Sequence, residues 1–183
     1  ALVVMSDRLH AHDDGRGQEA SVTMNEEERG TYLDFLRGRR AEILERLAAA
    51  CVRSGRRADD VLLLGVSKTV GIDEVALAWE AGYRAFGENR PQELKRKLSA
   101  CAASPKLADV RFDMIGNLQT NKVNMVIGNV SLIHSVSSTH LAEAISKRSV
   151  ARGIRSRVLL EVNVSGEESK SGFTPDGATT ALD

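Results

Sequence analysis

The chain has 183 residues, 42% of them hydrophobic, and its 25 Lys and Arg residues balance 25 Asp and Glu residues. This length and apolar content can bury the core of one domain. Zero formal charge argues against nucleic-acid or anionic-membrane binding through a global field, and no run of about 18 apolar residues predicts a membrane span.

The N-terminal segment differs in character from the rest of the chain. Residues 10–18 are polar and contain glycine, and Met24 stands directly before a well-formed helix start. We predict a disordered extension over residues 1–24 and a folded domain over residues 25–183. The pair His10 and His12 could instead bind a metal after a first strand, but no second His pair would complete such a site.

The two cysteines, Cys51 and Cys101, lie far apart in helix-like stretches. We interpret them as reduced core thiols rather than as a disulfide or a metal pair. A reducing, cytoplasmic location follows from that interpretation.

A long helix is predicted to begin after Asn25. Asn25 can cap the helix, Glu28 completes a capping box, and apolar residues then recur at helical spacing up to Cys51. The pair Ser54 and Gly55 supplies the stop.

From residue 61 the chain alternates strands with helices. Apolar runs that predict strands begin near residues 61, 84, 111, 132 and 158, and the last should extend from Arg157 to Val164. Pro91 fits the first turn of a helix whose apolar stripe is Leu94, Leu98 and Cys101. On that helix Lys95, Arg96 and Lys97 are predicted to face water.

Two α/β architectures fit this alternation. A doubly wound nucleotide-binding sheet would place a Gly-rich turn after its first strand, and the sequence has none there. A (β/α)8 barrel carries functional groups at several strand ends, and polar residues do follow the strands here: Lys68, Glu88, Asn89, Asn117, Gln119, Ser137, Asn163 and Ser165. We therefore favour the barrel, with only about the first five βα units present, since a complete barrel takes about 250 residues.

The strongest strand, residues 61–69, ends in Lys68. Desolvation at a barrel mouth would favour the neutral amine, which could attack an aldehyde to form a Schiff base. The alternative is a strand-end lysine that extends into water. His134, inside a strand, is interpreted as a core histidine, and residues 116–122 lack the second glycine of a phosphate-binding P-loop.

Six motifs give the chain a family resemblance from about residue 25 onward. They resemble, in order and spacing, those of the pyridoxal phosphate homeostasis protein family, the YggS/PROSC type. The motifs are Val66-Ser67-Lys68-Thr69, Phe86-Gly87-Glu88-Asn89, Ile115 to Lys122, Ile133 to Val136, Glu161 to Ser165, and Ser169-Lys170-Ser171-Gly172.

The resemblance implies a barrel like that of the alanine racemase N-terminal domain and a cytosolic protein that binds pyridoxal 5′-phosphate (PLP). Lys68 would hold PLP as a Schiff base, Asn89 would line the cofactor pocket, and Asn163 would face it from the last strand. Such proteins look like carriers or regulators of vitamin B6 without established catalytic turnover. The expected partners are PLP and PLP-dependent apoenzymes, and the expected state is a monomer that binds neither nucleic acid nor membrane.

Some positions depart from the family pattern. The family often has His at Asp113, an aromatic residue at Arg90 and Asp at Ser137, which affects the details and charge of the pocket. The family's last strands, with the loop that holds the cofactor phosphate, have no counterpart here, so we expect a truncated chain that binds PLP weakly. A racemase- or decarboxylase-like enzyme and a structural fragment without ligand remain alternatives.

Overall fold

A computed structural model describes residues 2–5 and 24–181 of the chain. It divides the chain into two compact units, residues 1–86 and residues 87–183. Each unit consists of parallel strands connected through helices.

The first unit contains three strand segments and two long helices. Its elements are β1 (Leu2–Met5), α1 (Glu26–Arg53), a 3-10 turn (Ala58–Asp60), β2 (Leu62–Val66), α2 (Ile72–Glu80) and the first half of β3 (Ala85–Glu88). The strand order in the sheet is β1-β2-β3. Strands β1 and β2 run parallel, with Leu2 opposite Leu62 and Met5 opposite Gly65.

Strand β1 differs from the predicted disordered extension. The run Leu2–Met5 is apolar and β-branched in its centre, and one side of its backbone pairs with β2. Residue 1 and residues 6–23, which include His10 and His12, lie outside the described residues. The remaining part of the predicted extension therefore stays a prediction.

Helix α1 begins and ends where the sequence indicates. The Asn25 side chain accepts a hydrogen bond from the Glu28 backbone N–H at 2.9 Å, and the Glu28 carboxylate accepts one from the Asn25 N–H at 2.8 Å. These bonds complete the predicted capping box. Ser54 is the C-cap, and Gly55 follows with a φ of 65°. The helix therefore stops at a residue that adopts the left-handed conformation without steric cost.

The core of the first unit lies around β2 and α2. Leu64 is fully buried at the centre of β2, and Val75 and Leu77 are buried on α2. Gly65 faces the rings of Tyr83 and Phe86 at ordinary contact distance. Strand β2 is therefore packed against aromatic side chains at Gly65, shortly before the chain reaches Lys68.

The second unit continues the alternation of strands and helices. Its elements are the second half of β3, α3 (Pro91–Ala102), a 3-10 turn (Pro105–Leu107), β4 (Arg111–Met114), a 3-10 turn (Thr120–Lys122), α4 (Val123–Val126), β5 (Ile133–Val136), α5 (Thr139–Ala151), β6 (Val158–Leu160) and α6 (Pro175–Thr180). The strand order is β3-β4-β5-β6. Met114 pairs with Ile133, and Ile133 pairs with Val158, all in parallel.

Strand β6 is shorter than predicted. It ends at Leu160 instead of Val164, and only an isolated parallel bridge from Val162 to Phe173 continues the pairing. A polar loop replaces the last residues of the predicted strand. The side chains of Val158 and Leu159 are 38% and 49% exposed, and that of Val164 in the loop is 84% exposed.

Helix α3 corrects one sequence prediction. Leu94 and Cys101 are buried as the apolar stripe indicates, but Lys97 is buried as well, with 5% of its surface exposed. Its amine forms an ion pair with the buried carboxylate of Glu88 on β3. The prediction that Lys97 faces water is therefore wrong, because an acidic partner from the sheet compensates its burial.

Candidate functional site

Lys68 lies in a tight turn directly after β2. The backbone N–H of Val70 donates to the carbonyl of Ser67 at 3.2 Å, which closes the turn around Lys68 and Thr69. Ser67 is buried, whereas Lys68 is exposed. Lys68 therefore reaches solvent from this turn.

Asn89 follows β3 immediately and is half-buried. The preceding residue, Glu88, is anchored to the next strand because its carbonyl accepts a hydrogen bond from the Ile115 N–H at 2.9 Å. Gly116 lies against the Asn89 backbone, so closely that a Cβ at Gly116 would stand 2.5 Å from the Asn89 carbonyl oxygen. The position of Asn89 is thus set by the end of β4.

Asn163 lies in the loop after β6, and its amide is fully used within that loop. Its Nδ2 donates to the carbonyls of Glu167 at 2.9 Å and Lys170 at 3.4 Å. Its Oδ1 accepts from the Ser165 hydroxyl at 3.0 Å and from the Gly166 N–H at 3.1 Å. An amide offers two donors and two favourable acceptor positions, so these four bonds occupy its ordinary capacity.

The base of this loop, residues 163–173, is closed by backbone bonds. The Asn163 N–H donates to Phe173 O, and the Phe173 N–H donates to Glu161 O, both at 2.8 Å. Gly172 has a φ of 123°, and a Cβ there would lie 2.7 Å from the Asn163 nitrogen. Asn117, after β4, donates to the Ser171 hydroxyl at 3.2 Å. The loop is therefore tied to its own strand and to the segment after β4, which lies two strands away in the sheet.

A charged cluster connects β4 and β5. Asp113 is fully buried and accepts from Arg111 Nε at 3.1 Å and Nη2 at 3.2 Å, while His134 Nε2 lies 3.0 Å from its Oδ2. His134 is thus a core histidine with a carboxylate partner. The sequence analysis missed this cluster, although Asp113 and His134 in adjacent strands were the available signal.

The remaining departures from the family pattern lie near strand ends. Arg90, the N-cap residue of α3, is exposed, and Ser137 after β5 is half-buried.

Within the described residues, no cluster of three or more His, Cys, Asp or Glu side chains could bind a metal ion. None of the helices in that part of the chain combines the length and apolarity needed to cross a membrane.

Each unit offers one group whose chemistry suits an aldehyde-bearing cofactor. Lys68 provides an exposed primary amine, and Asn89 provides an amide that can donate or accept. Each lies at the carboxyl end of its strand, the edge where parallel α/β proteins bind ligands.

Parallel strands that alternate with helices and carry polar groups after their carboxyl ends define an α/β protein of the barrel-forming kind. The family model "Alanine racemase, N-terminal domain" matches residues 44–183. The chain therefore belongs to this family, and the predicted fold class is confirmed.

Named relatives narrow the similarity further. The chain is 43% identical over 138 residues to the pyridoxal phosphate homeostasis protein of Aquifex aeolicus, and the match covers 75% of this chain and 59% of that protein. The corresponding protein of one Helicobacter pylori strain is 38% identical over 119 residues, covering 64% of this chain and 52% of the relative. The chain thus spans between half and three fifths of these relatives, and the predicted resemblance is confirmed.

Solved structures agree with this assignment. A protein of unknown function from Bifidobacterium adolescentis matches with a TM-score of 0.71 and 42% identity, over 87% of this chain and 65% of that chain. PipY of Synechococcus elongatus PCC7942 matches with TM-scores of 0.62 without PLP and 0.58 with PLP bound, at 33% and 32% identity. Both matches cover 76% of this chain and 62% of PipY.

Proposed function

We propose that the chain binds PLP through Lys68 and serves intracellular vitamin B6 homeostasis as a carrier rather than as a catalyst. The observation that carries the proposal is an exposed amine held in a turn directly after a buried strand, in a chain 32% identical to PipY, a protein solved with PLP bound. The names of the relatives support the homeostasis role.

When bound, PLP would supply an aldehyde carbon that is open to attack by a primary amine. Lys68 would contribute the amine, and its exposure leaves the side chain accessible to a cofactor that arrives from solution. The turn closed by Ser67 and Val70 limits where the amine can reach. Lys68 therefore differs from Lys95 and Lys147, which are exposed lysines on helices and have no such turn.

The two asparagines receive different roles. Asn89 contacts the bound cofactor through its amide, supported by its fixed backbone and half-buried position. Direct contact of Asn163 with PLP remains the sequence prediction, but its four hydrogen bonds inside the loop favour an indirect role in holding residues 165–171.

The test is a titration of PLP into the purified chain, followed by the visible absorption band of lysine-bound cofactor. Borohydride reduction and peptide mass spectrometry then identify the modified lysine. We expect one saturable band and a label on Lys68, and we expect both to be absent from Lys68→Ala. Because PLP reacts with accessible lysines in general, Lys147→Ala, which alters an exposed lysine on α5, is the matched control and should keep both signals. A band unchanged in Lys68→Ala would contradict the proposal.

The carrier role is tested separately. We expect the PLP-loaded chain to restore the activity of a PLP-dependent apoenzyme, and we expect buffer alone to leave the apoenzyme inactive. In size-exclusion chromatography the chain should elute as a monomer. Lys68-dependent racemisation or decarboxylation of an amino acid would replace the carrier proposal with an enzymatic one.

A further inference from the structure

The contact between Gly116 and Asn89 leaves no room for a side chain. A Cβ at Gly116 would lie 2.5 Å from the Asn89 carbonyl oxygen, 2.7 Å from its Cα and 2.9 Å from its carbonyl carbon. All three are backbone atoms, so no rotamer change can relieve the clash. Gly116 is absent from the glycines with positive φ, which means that space and not conformation requires a glycine here.

Both sides of this contact are anchored. On one side, the Ile115 N–H donates to the Glu88 carbonyl at 2.9 Å, which fixes the residues directly before Gly116 and Asn89. On the other side, the buried Ser135 on β5 donates its hydroxyl to the Gly116 carbonyl. A substitution at Gly116 must therefore displace Asn89, since the β4 end is held between β3 and β5.

We propose that Gly116 is a positioning residue for PLP binding, which places the Asn89 amide through direct backbone contact. The inference rests on the proposed function, because it assigns Asn89 a cofactor contact. Gly116 itself needs no contact with the ligand. Ser135 contributes to the same positioning of Asn89, since its hydroxyl donates a hydrogen bond that holds the Gly116 peptide in place.

The experiment measures the PLP concentration at half-maximal Lys68-dependent absorption in single and double variants. Gly116→Ala and Asn89→Ala should each raise it about three- to tenfold, the effect of losing one hydrogen bond. If Gly116 acts through Asn89, adding Gly116→Ala to Asn89→Ala should produce no further loss. The milder Ser135→Ala should raise the half-saturation value less, again only when Asn89 is present, and it keeps the test valid if Gly116→Ala does not fold.

Ile145→Ala, a core truncation on α5, controls for general destabilisation. It should lower the thermal midpoint without changing the half-saturation value. If the unaltered chain shows no Lys68-dependent band, the proposed function fails and this inference fails with it. Only the positioning role is overturned if that band is present but Gly116→Ala binds PLP as tightly as the unaltered chain. It is also overturned if Gly116→Ala weakens binding by the same factor in the Asn89→Ala background as in the unaltered chain.

Discussion

Lys97→Met is expected to destabilise the second unit strongly. The side chains of Lys97 and Glu88 are 7% and 1% exposed, and their ion pair compensates two charges that lie away from water. Removing the lysine leaves the Glu88 carboxylate buried without the ammonium group that pairs with it. Breaking a buried pair in this way costs about 3–5 kcal/mol.

Urea unfolding followed by circular dichroism measures this loss. The single tryptophan, Trp79, lies in the first unit, so its fluorescence would report on the wrong part of the chain. Lys95→Met is the matched control, because Lys95 is an exposed lysine on the same helix and its loss should change stability by less than about 0.5 kcal/mol.

A double variant separates the pair from the packing of the lysine stem. Lys97→Met combined with Glu88→Gln removes both charges, and we expect it to recover a large part of the stability lost in Lys97→Met. The reasoning is refuted if Lys97→Met costs no more than Lys95→Met, or if the double variant is as unstable as the sum of the two single changes.

Two further predictions concern the loop after β6 and a buried thiol. Asn163→Ala should speed trypsin cleavage after Lys170 by at least about tenfold, because the loop loses four hydrogen bonds worth about 0.5–1.5 kcal/mol each. Asn129→Ala, which removes one exposed hydrogen bond to the Met125 carbonyl on α4, should leave the rate unchanged, and equal rates in the two variants would contradict the role of Asn163. Burial raises the pKa of the Cys101 thiol despite the nearby Lys97, so less thiolate is present at pH 8. Iodoacetamide should therefore label Cys101 more slowly in the folded chain than in the urea-unfolded chain, and equal labelling rates would show that burial does not protect the thiol.

Local patterns predicted much of the fold. The capping box at Asn25 and the glycine after Ser54 mark both ends of α1, because these signals are contained in a few neighbouring residues. The apolar run at β2 likewise predicts a buried strand. Strand β1 was not predicted, because a run of four apolar residues is too short to identify a strand from sequence alone. Its pairing with β2 is visible only in the structure.

The site was predictable only in part, because its geometry depends on contacts between distant residues. Helical spacing placed Lys97 beside the exposed Lys95 and Arg96, and nothing local indicated that Glu88 would bury it. The family resemblance implied that Asn163 faces the cofactor from the last strand, whereas the strand ends at Leu160 and a loop folds around the Asn163 amide. The crowding of Asn89 by Gly116 likewise exists only once β3 and β4 lie side by side.

The exposure of Lys68 bears on how the protein would choose its ligand. An amine in contact with water can encounter any small aldehyde in solution. The backbone turn around Lys68 limits the reach of the amine but does not distinguish one aldehyde from another. Discrimination among aldehydes must then come from groups that recognise the rest of the molecule, its ring substituents and its phosphate. In this chain the lysine would provide retention, and selectivity would belong to the other groups that contact the ligand.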